Sequence, residues 1–303
     1  MRDRDLYRQA YAILAAVGRR IGTPVDDALL LWAHSNTIFA LPSVRLLVRI
    51  ATNPEALPRV RASVDVTRWL AARGFPCVVP ADILDQPFVE QGRVISVWCY
   101  LPTVAEPSPS GADLGRLLRV LHSQPPPDPP VDRFGDPFAS VSEAVNEIPD
   151  AVSTHHRRWL VDRIAELREA WYATDFVQDP GLIHGDAHTN NLMRTESGKV
   201  ILGDWDHVAL GPREWDLAQV HYTHRRFGRP AAADLAGFSE AYGWDVRGWP
   251  GLDFMVTVRE ITGLSAYIRT VPTKAFSRHE LVRRLDTLRR RDDDARWDSP
   301  PRA

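Results

Sequence analysis

The segment Leu182 to Met193, LIHGDAHTNNLM, crowds two histidines, one aspartate and two asparagines between apolar flanks. A hairpin follows, with strands LMRT (192–195) and VILGDW (200–205) around the turn ESGK, and it carries Asp204. Phosphoryl transfer from a nucleotide needs such parts. A carboxylate accepts the proton of an acceptor hydroxyl, and two oxygen ligands hold Mg²⁺ against the phosphates, since Mg²⁺ prefers carboxylate and amide oxygens. A loop followed by a hairpin is able to present Asp186, Asn191 and Asp204 to one point. His184 would orient the loop through hydrogen bonds, and His188 would do likewise.

Working outward, Leu6, Ala10, Ile13, Leu14, Val17 and Ile21 recur at helical spacing, and Gly22-Thr23-Pro24 ends that helix. ALLLWAHSNTIFALPSVRLLVRIA breaks around Ser35-Asn36 and at Pro42-Ser43 into three strand-like runs. A helix is expected from Pro58 to Arg73, then strands near Ile83–Val89 and Val94–Tyr100. Beyond Leu101-Pro102 the pattern turns helical. A stripe covers Leu114 to Leu121, and helices are expected over Thr154–Tyr172, Glu214–Arg226, Ala231–Tyr242, Phe254–Ile268 and Ser277–Arg291. QPPPDPP (124–130) is a stiff spacer, and RRRDDD (289–294) a solvated helix end. Strands first and helices later give an α+β fold class.

HGDAHTNN (184–191), ILGDWD (201–206) and GPREWDLA (211–218) together resemble the aminoglycoside phosphotransferase and choline kinase-like group. The resemblance implies a two-lobed protein-kinase-like fold, with a small β-rich N-lobe over 1–101 and a larger, mostly helical C-lobe over 102–303. It implies Asp186 as catalytic base, with His184 orienting its loop and Asp216 bracing it. It implies Asn191 and Asp204 as ligands of Mg²⁺, with ATP or GTP as donor. Nucleotide contacts would come from Arg49, Leu47, the turn at Ser35 and Asn36, and the hinge at Trp98 and Tyr100. The acceptor would be a hydroxyl of a small molecule such as an aminoglycoside, another antibiotic, a sugar or an amino alcohol, or else a Ser or Thr of a peptide.

Two positions depart from that pattern. The group's strand lysine is Arg49 here, in LLVR (46–49), and the only lysines are Lys199 and Lys274. Arginine stays charged and grips phosphate with two points instead of one. The helix glutamate that partners the lysine falls at Ser63, whose helical neighbours Arg59, Val60, Val66 and Thr67 are not acidic. A degenerate, non-catalytic kinase fold is therefore an alternative. A metal-dependent hydrolase is another, since His184, Asp186, His188, Asp204, Asp206 and His207 are all metal-ligand types.

The net charge of −2 gives no general attraction to nucleic acid or to an anionic membrane. No apolar run approaches the ~20 residues of a membrane span, and the charged start MRDRDLYRQ has no signal-peptide core, so a cytoplasmic location is expected. Cys77 and Cys99 lie in apolar, strand-like segments and are expected as buried free thiols. Glu240, Asp253 and Glu260 are candidates for meeting a cationic acceptor, with exposed surface positions as the plainer expectation. Trp215, Tyr222, Trp244, Trp249 and Tyr267 are expected to pack the core before they stack on a substrate.

Overall fold

The computed structural model describes residues 2–33, 36–83 and 85–299. Along them the elements run α1 (Arg2–Ile21), β1 (Leu29–Ala33), β2 (Asn36–Leu41), β3 (Leu46–Ala51), α2 (Leu57–Ala72), β4 (Phe88–Glu90), β5 (Arg93–Cys99), β6 (Thr103–Val104), α3 (Gly111–His122), α4 (Ala139–Glu147), α5 (Thr154–Tyr172), β7 (Gly181–Ile183), β8 (Leu192–Thr195), β9 (Val200–Leu202), β10 (Ala209–Gly211), α6 (Glu214–Phe227), α7 (Ala232–Tyr242), α8 (Leu252–Thr262), α9 (Leu264–Thr270) and α10 (Ala275–Arg290). They gather into two compact units. The first takes Met1–Pro109, Pro126–Val131 and Asn190–Val208; the second takes Ser110–Pro125, Asp132–Thr189 and Ala209–Ala303.

The first unit is built on an antiparallel sheet of order β1-β2-β3-β5-β4. Side chains alternate across it with period two. Val48 and Ile50 of β3 join Phe39, Leu41, Ile95 and Val97 on the face covered by Ala10, Ile13, Leu14 and Val17 of α1. Leu47 and Ala51 face the other way, with Val94 and Trp98, onto Val60 and Val64 of α2. Arg49 shares the parity of Leu47 and Ala51 and stands opposite Ser96, between the pairs Leu47–Trp98 and Ala51–Val94. A second, three-stranded sheet of order β6-β8-β9 carries the expected hairpin.

The strand expected over Ile83–Val89 shrinks to β4, three residues. Pro87 has no N–H to give a ladder, and the Gln86 side chain does the bonding instead: its amide donates to Ala81 O at 2.7 Å and its Oε1 accepts from Val97 N at 2.7 Å. Cys77 is buried as expected, but Cys99, at the end of β5, is exposed; both are free thiols.

In the second unit α3 lies against α7 at close range. A Cβ at Gly115 would stand 2.4 Å from Phe238 O, so only glycine admits this approach. β7 and β10 form a short antiparallel ribbon with Leu182 opposite Leu210. The single helix expected over Phe254–Ile268 is two helices, α8 and α9, parted at Gly263. A Cβ there would meet Tyr222 Oη at 3.0 Å and Arg259 O at 3.2 Å. α4 has no counterpart among the expected elements. Among the described residues no helix is long and apolar enough to cross a membrane.

Candidate active site

In the second unit the chain leaves β7 at His184 and turns at Gly185, where φ is +86°. L side chains disfavour that conformation, so glycine is required between the histidine and Asp186. The turn is held from below by Asp216, in the first turn of α6. Asp216 Oδ2 accepts from His184 N at 2.7 Å and Oδ1 from Gly185 N at 2.8 Å. Its third partner is His122 at the end of α3, with Nε2 3.2 Å from Oδ2. Burial opposes the charge on Asp216. The hydrogen bond and charge of His122, with the nearby His184, outweigh it and hold the carboxyl below its usual range.

Two further groups clamp Gly185 from its carbonyl side. Trp215 Nε1 donates to Gly185 O at 2.9 Å, and Arg259 of α8 donates to the same oxygen at 3.1 Å and to Trp215 O at 2.9 Å. The Arg259 guanidinium lies 3.6 Å from the Trp215 ring centroid. Burial pulls its pKa down to about 10, while Asp186 and Asp216 pull the other way.

The loop therefore presents Asp186 on a braced support. Its backbone N donates to His184 Nδ1 at 3.3 Å, and His184 is itself fully buried. Gln219, one helical turn beyond Asp216, donates from Nε2 to Asp186 Oδ1 at 2.8 Å. His188 Nε2 stands 3.6 Å from Oδ2. The amide of Gln219 thus holds one oxygen of the carboxylate, and the imidazole of His188 approaches the other.

The first unit holds the other set of expected residues. Gly203 N donates to Asn191 O at 2.9 Å, which ties Asn191 to the end of β9 where Asp204 begins the following turn. Asp204 is exposed and has a positive φ of 59°. Trp205 is buried, donates from Nε1 to Leu202 O at 3.0 Å and meets the Phe75 ring edge-on at 5.8 Å. Asn191 and Asp204 offer an amide oxygen and a carboxylate, a donor set that fits a hard cation completing its shell with water and phosphate. Among the described residues no group of three or more His, Cys, Asp or Glu side chains gathers in a way that holds a metal ion by itself.

Arg49 is buried at 8 % exposure, and its partner is Asp206. Nη1 donates to Oδ1 at 2.7 Å, and Nη2 donates to Oδ2. Arg59 of α2 adds a second cation, with Nε 3.8 Å from Asp206 Oδ2. Burial opposes the charge on Asp206, but Arg49, then Arg59 and His207, outweigh it and depress its pKa. Burial likewise opposes the charge on Arg49, and Asp206 and Asp204 outweigh it and raise its pKa. Ser63 is buried in α2. The acid that meets the strand cation thus comes from the loop after β9, and the helix contributes a cation.

Trp98 is buried with Leu47, Val60, Val64 and Val78, and its Nε1 donates to Ser96 Oγ at 2.9 Å. Tyr100 N donates to Arg45 O at 2.9 Å. Asn36 begins β2 opposite Ala51, while His34 and Ser35 lie outside the described residues. Glu260 is a correction. It is buried at 2 % exposure and pairs with Arg226 at 2.6 Å, so it is neither a surface residue nor a group turned toward an acceptor. Asp253 is paired with Arg225, and Glu240 is exposed on α7. Trp215, Tyr222 and Trp249 are core residues, as expected.

Gln219, Arg259 and His122 escaped the sequence reading. For Gln219 a signal was present, since it follows Asp216 at i+3 on one helix. His122 and Arg259 are 94 and 74 residues from the groups they hold, and no local pattern points to them.

A family model described as a phosphotransferase enzyme family, APH, matches residues 30–255. The chain belongs to this family. This phosphotransferase is similar in structure to the amicoumacin kinase hAmiN in complex with AMP-PNP, Ca²⁺ and Ami, at 14% identity over 91% of each chain and a TM-score of 0.69. It is also similar to a choline/ethanolamine kinase family protein from Mesorhizobium loti, at 18% identity over 95% of this chain and 96% of that one, with a TM-score of 0.64. The choline kinase LicA from Streptococcus pneumoniae matches at 13% identity over 90% of this chain and 98% of that one, with a TM-score of 0.66. The phosphotransferase shares with them the kinase-like fold, a small antiparallel-sheet lobe and a helical lobe.

Proposed function

We propose that this phosphotransferase moves the γ-phosphoryl group of a nucleoside triphosphate, ATP in the first instance, to a hydroxyl of a small molecule. The observation that carries the proposal is the support of Asp186: a carboxylate fixed by Gln219 on a loop whose backbone is held by Asp216, Trp215 and Arg259. A group pre-positioned in this way is what a general base needs. Structures with the same fold are described in complex with AMP-PNP, GDP and ADP, and with spectinomycin or kanamycin, which supports a nucleotide donor and a small hydroxylated acceptor.

In this reading Asp186 accepts the acceptor's proton as its oxygen bonds to the γ-phosphorus and the bond to the bridging oxygen breaks, releasing a nucleoside diphosphate. Asn191 and Asp204 would hold Mg²⁺. When bound, the cation neutralises the phosphate oxygens and so lowers the cost of charge shift in transfer. Arg49 meets the phosphates, and Leu47 and Trp98 border the base.

Calorimetric titration with ATP and GTP, with and without Mg²⁺, tests the donor side, with Asp204→Ala as the control. Metal-dependent binding by the wild type, lost in Asp204→Ala, is the expected result. A panel of aminoglycosides, other antibiotics, sugars and amino alcohols then tests the acceptor. Asp186→Ala is expected to abolish transfer while nucleotide binding stays near the wild-type level. Wild-type turnover in that variant would remove Asp186 from the role.

A further inference from the structure

We infer that Asp206 is a positioning residue for nucleotide phosphates, acting through Arg49, and that it replaces the helix acid that the wider fold places at Ser63. The inference rests on the phosphotransfer reading and names a part of the site which that reading leaves unassigned.

Three observations carry it. The contact is two-point: each Nη of Arg49 meets a different oxygen of Asp206. Such a fork fixes the plane of the guanidinium as well as its position, whereas an ammonium fixes a single point. Both side chains are secluded, at 10% and 9% side-chain exposure, so the pair is weakly screened. The loop is anchored between its two acids, because Trp205 is buried and bonded to Leu202 O. Asp204 precedes the anchor and Asp206 follows it. The anchor therefore holds both acids at fixed places on one loop.

A guanidinium spreads five N–H groups over more than one edge. An arginine on this strand is thus able to face a carboxylate along one edge and phosphate along another. Arg59, on the helix where an acid is customary, adds positive charge beside the same carboxylate. The helix thus brings a cation one turn before Ser63, and the loop acid serves both cations.

The test is calorimetric titration of the full chain with Mg·ATP and, separately, with adenosine, for wild type, Asp206→Asn and Arg49→Lys. If Asp206 positions Arg49 on the phosphates, Asp206→Asn weakens Mg·ATP binding by about tenfold or more and leaves adenosine binding unchanged. Arg49→Lys, which keeps a cation facing Asp206 without the fork, gives the same split and decides the matter if Asp206→Asn does not fold. Equal losses for the two ligands would reduce the pair to a fold contact and overturn the proposal, as would Mg·ATP binding unaltered in both variants. No binding of Mg·ATP or Mg·GTP by the wild type would remove the phosphotransfer reading itself, and the role of Asp206 with it.

Discussion

Gln219 approaches Asp186 as a neutral donor, and the neutrality matters. In the proposed role of Asp186 as base, a cation there would stabilise the carboxylate and weaken it; an amide orients it at smaller cost to basicity. Gln219→Glu would put a second carboxylate within hydrogen-bond distance of Asp186. Like charges raise the apparent pKa of the pair, so the rising limb of the pH–rate profile is expected to move to higher pH. A profile that stays in place would show that Gln219 does not touch the ionising base. Asp216 makes the opposite kind of prediction. Its folded pKa lies below the unfolded value of about 3.9. The stability it contributes is therefore present above that value and lost as pH falls through the folded pKa. Asp216→Asn is expected to be less stable at pH 6 and to lose less on acidification, as urea unfolding at pH 6 and at pH 3 would show.

At the scale of elements, legibility followed from how far a pattern runs. α5, α6 and α7 carry apolar residues on successive turns, and β2, β3 and β5 are apolar-rich runs of six or seven residues; all were visible in the sequence. β4, β7 and β10 have three residues each, too few for a period to establish itself. The division of α8 from α9 falls at Gly263, where a Cβ would meet Tyr222 of α6, a neighbour from far earlier in the chain that no local pattern reveals. The candidate site divides in the same way. Asp186, Asn191 and Asp204 are close in the chain, and their motifs single them out as candidates. Their supports are distant: Arg49 meets Asp206 across 157 residues, and Gln219 meets Asp186 across 33. The helical neighbours of Ser63 are not acidic, but neighbours on one helix do not reveal a partner on another segment. Gly185 has a φ of +86°, which costs any other residue. Gly185→Ala is expected to destabilise the chain by about 1–2 kcal/mol and to lower turnover, because the strain falls on the residue joining His184 to Asp186. Unchanged thermal unfolding in that variant would show that the loop relaxes freely.

Across the whole chain, the last described residues close the second unit instead of trailing from it. Trp297 is 3% exposed, and Arg226 and Arg284 lie 4.8 and 4.6 Å from its ring. Its backbone N donates to Arg226 O at 2.6 Å. Both arginines are buried and paired, Arg226 with Glu260 and Arg284 with Glu280. Trp297→Ala is expected to cost about 3–5 kcal/mol, as for other large-to-small changes in a core, measurable by urea denaturation; a cost below about 1 kcal/mol, ordinary for a surface site, would show that the ring is not packed as described.

The strand position that meets Asp206 bears on how this protein is to be detected. Affinity reagents that capture kinases by acylating an amine in the nucleotide site need a nucleophilic nitrogen there. A guanidinium stays protonated, and the carboxylate raises its pKa further. The chain's two amine side chains, Lys199 and Lys274, belong to a hairpin turn and to the start of α10. At β3 such a reagent finds no amine to attack. In the proposed site, labelling at β3 would be absent from this phosphotransferase and from any relative that carries arginine at the same place.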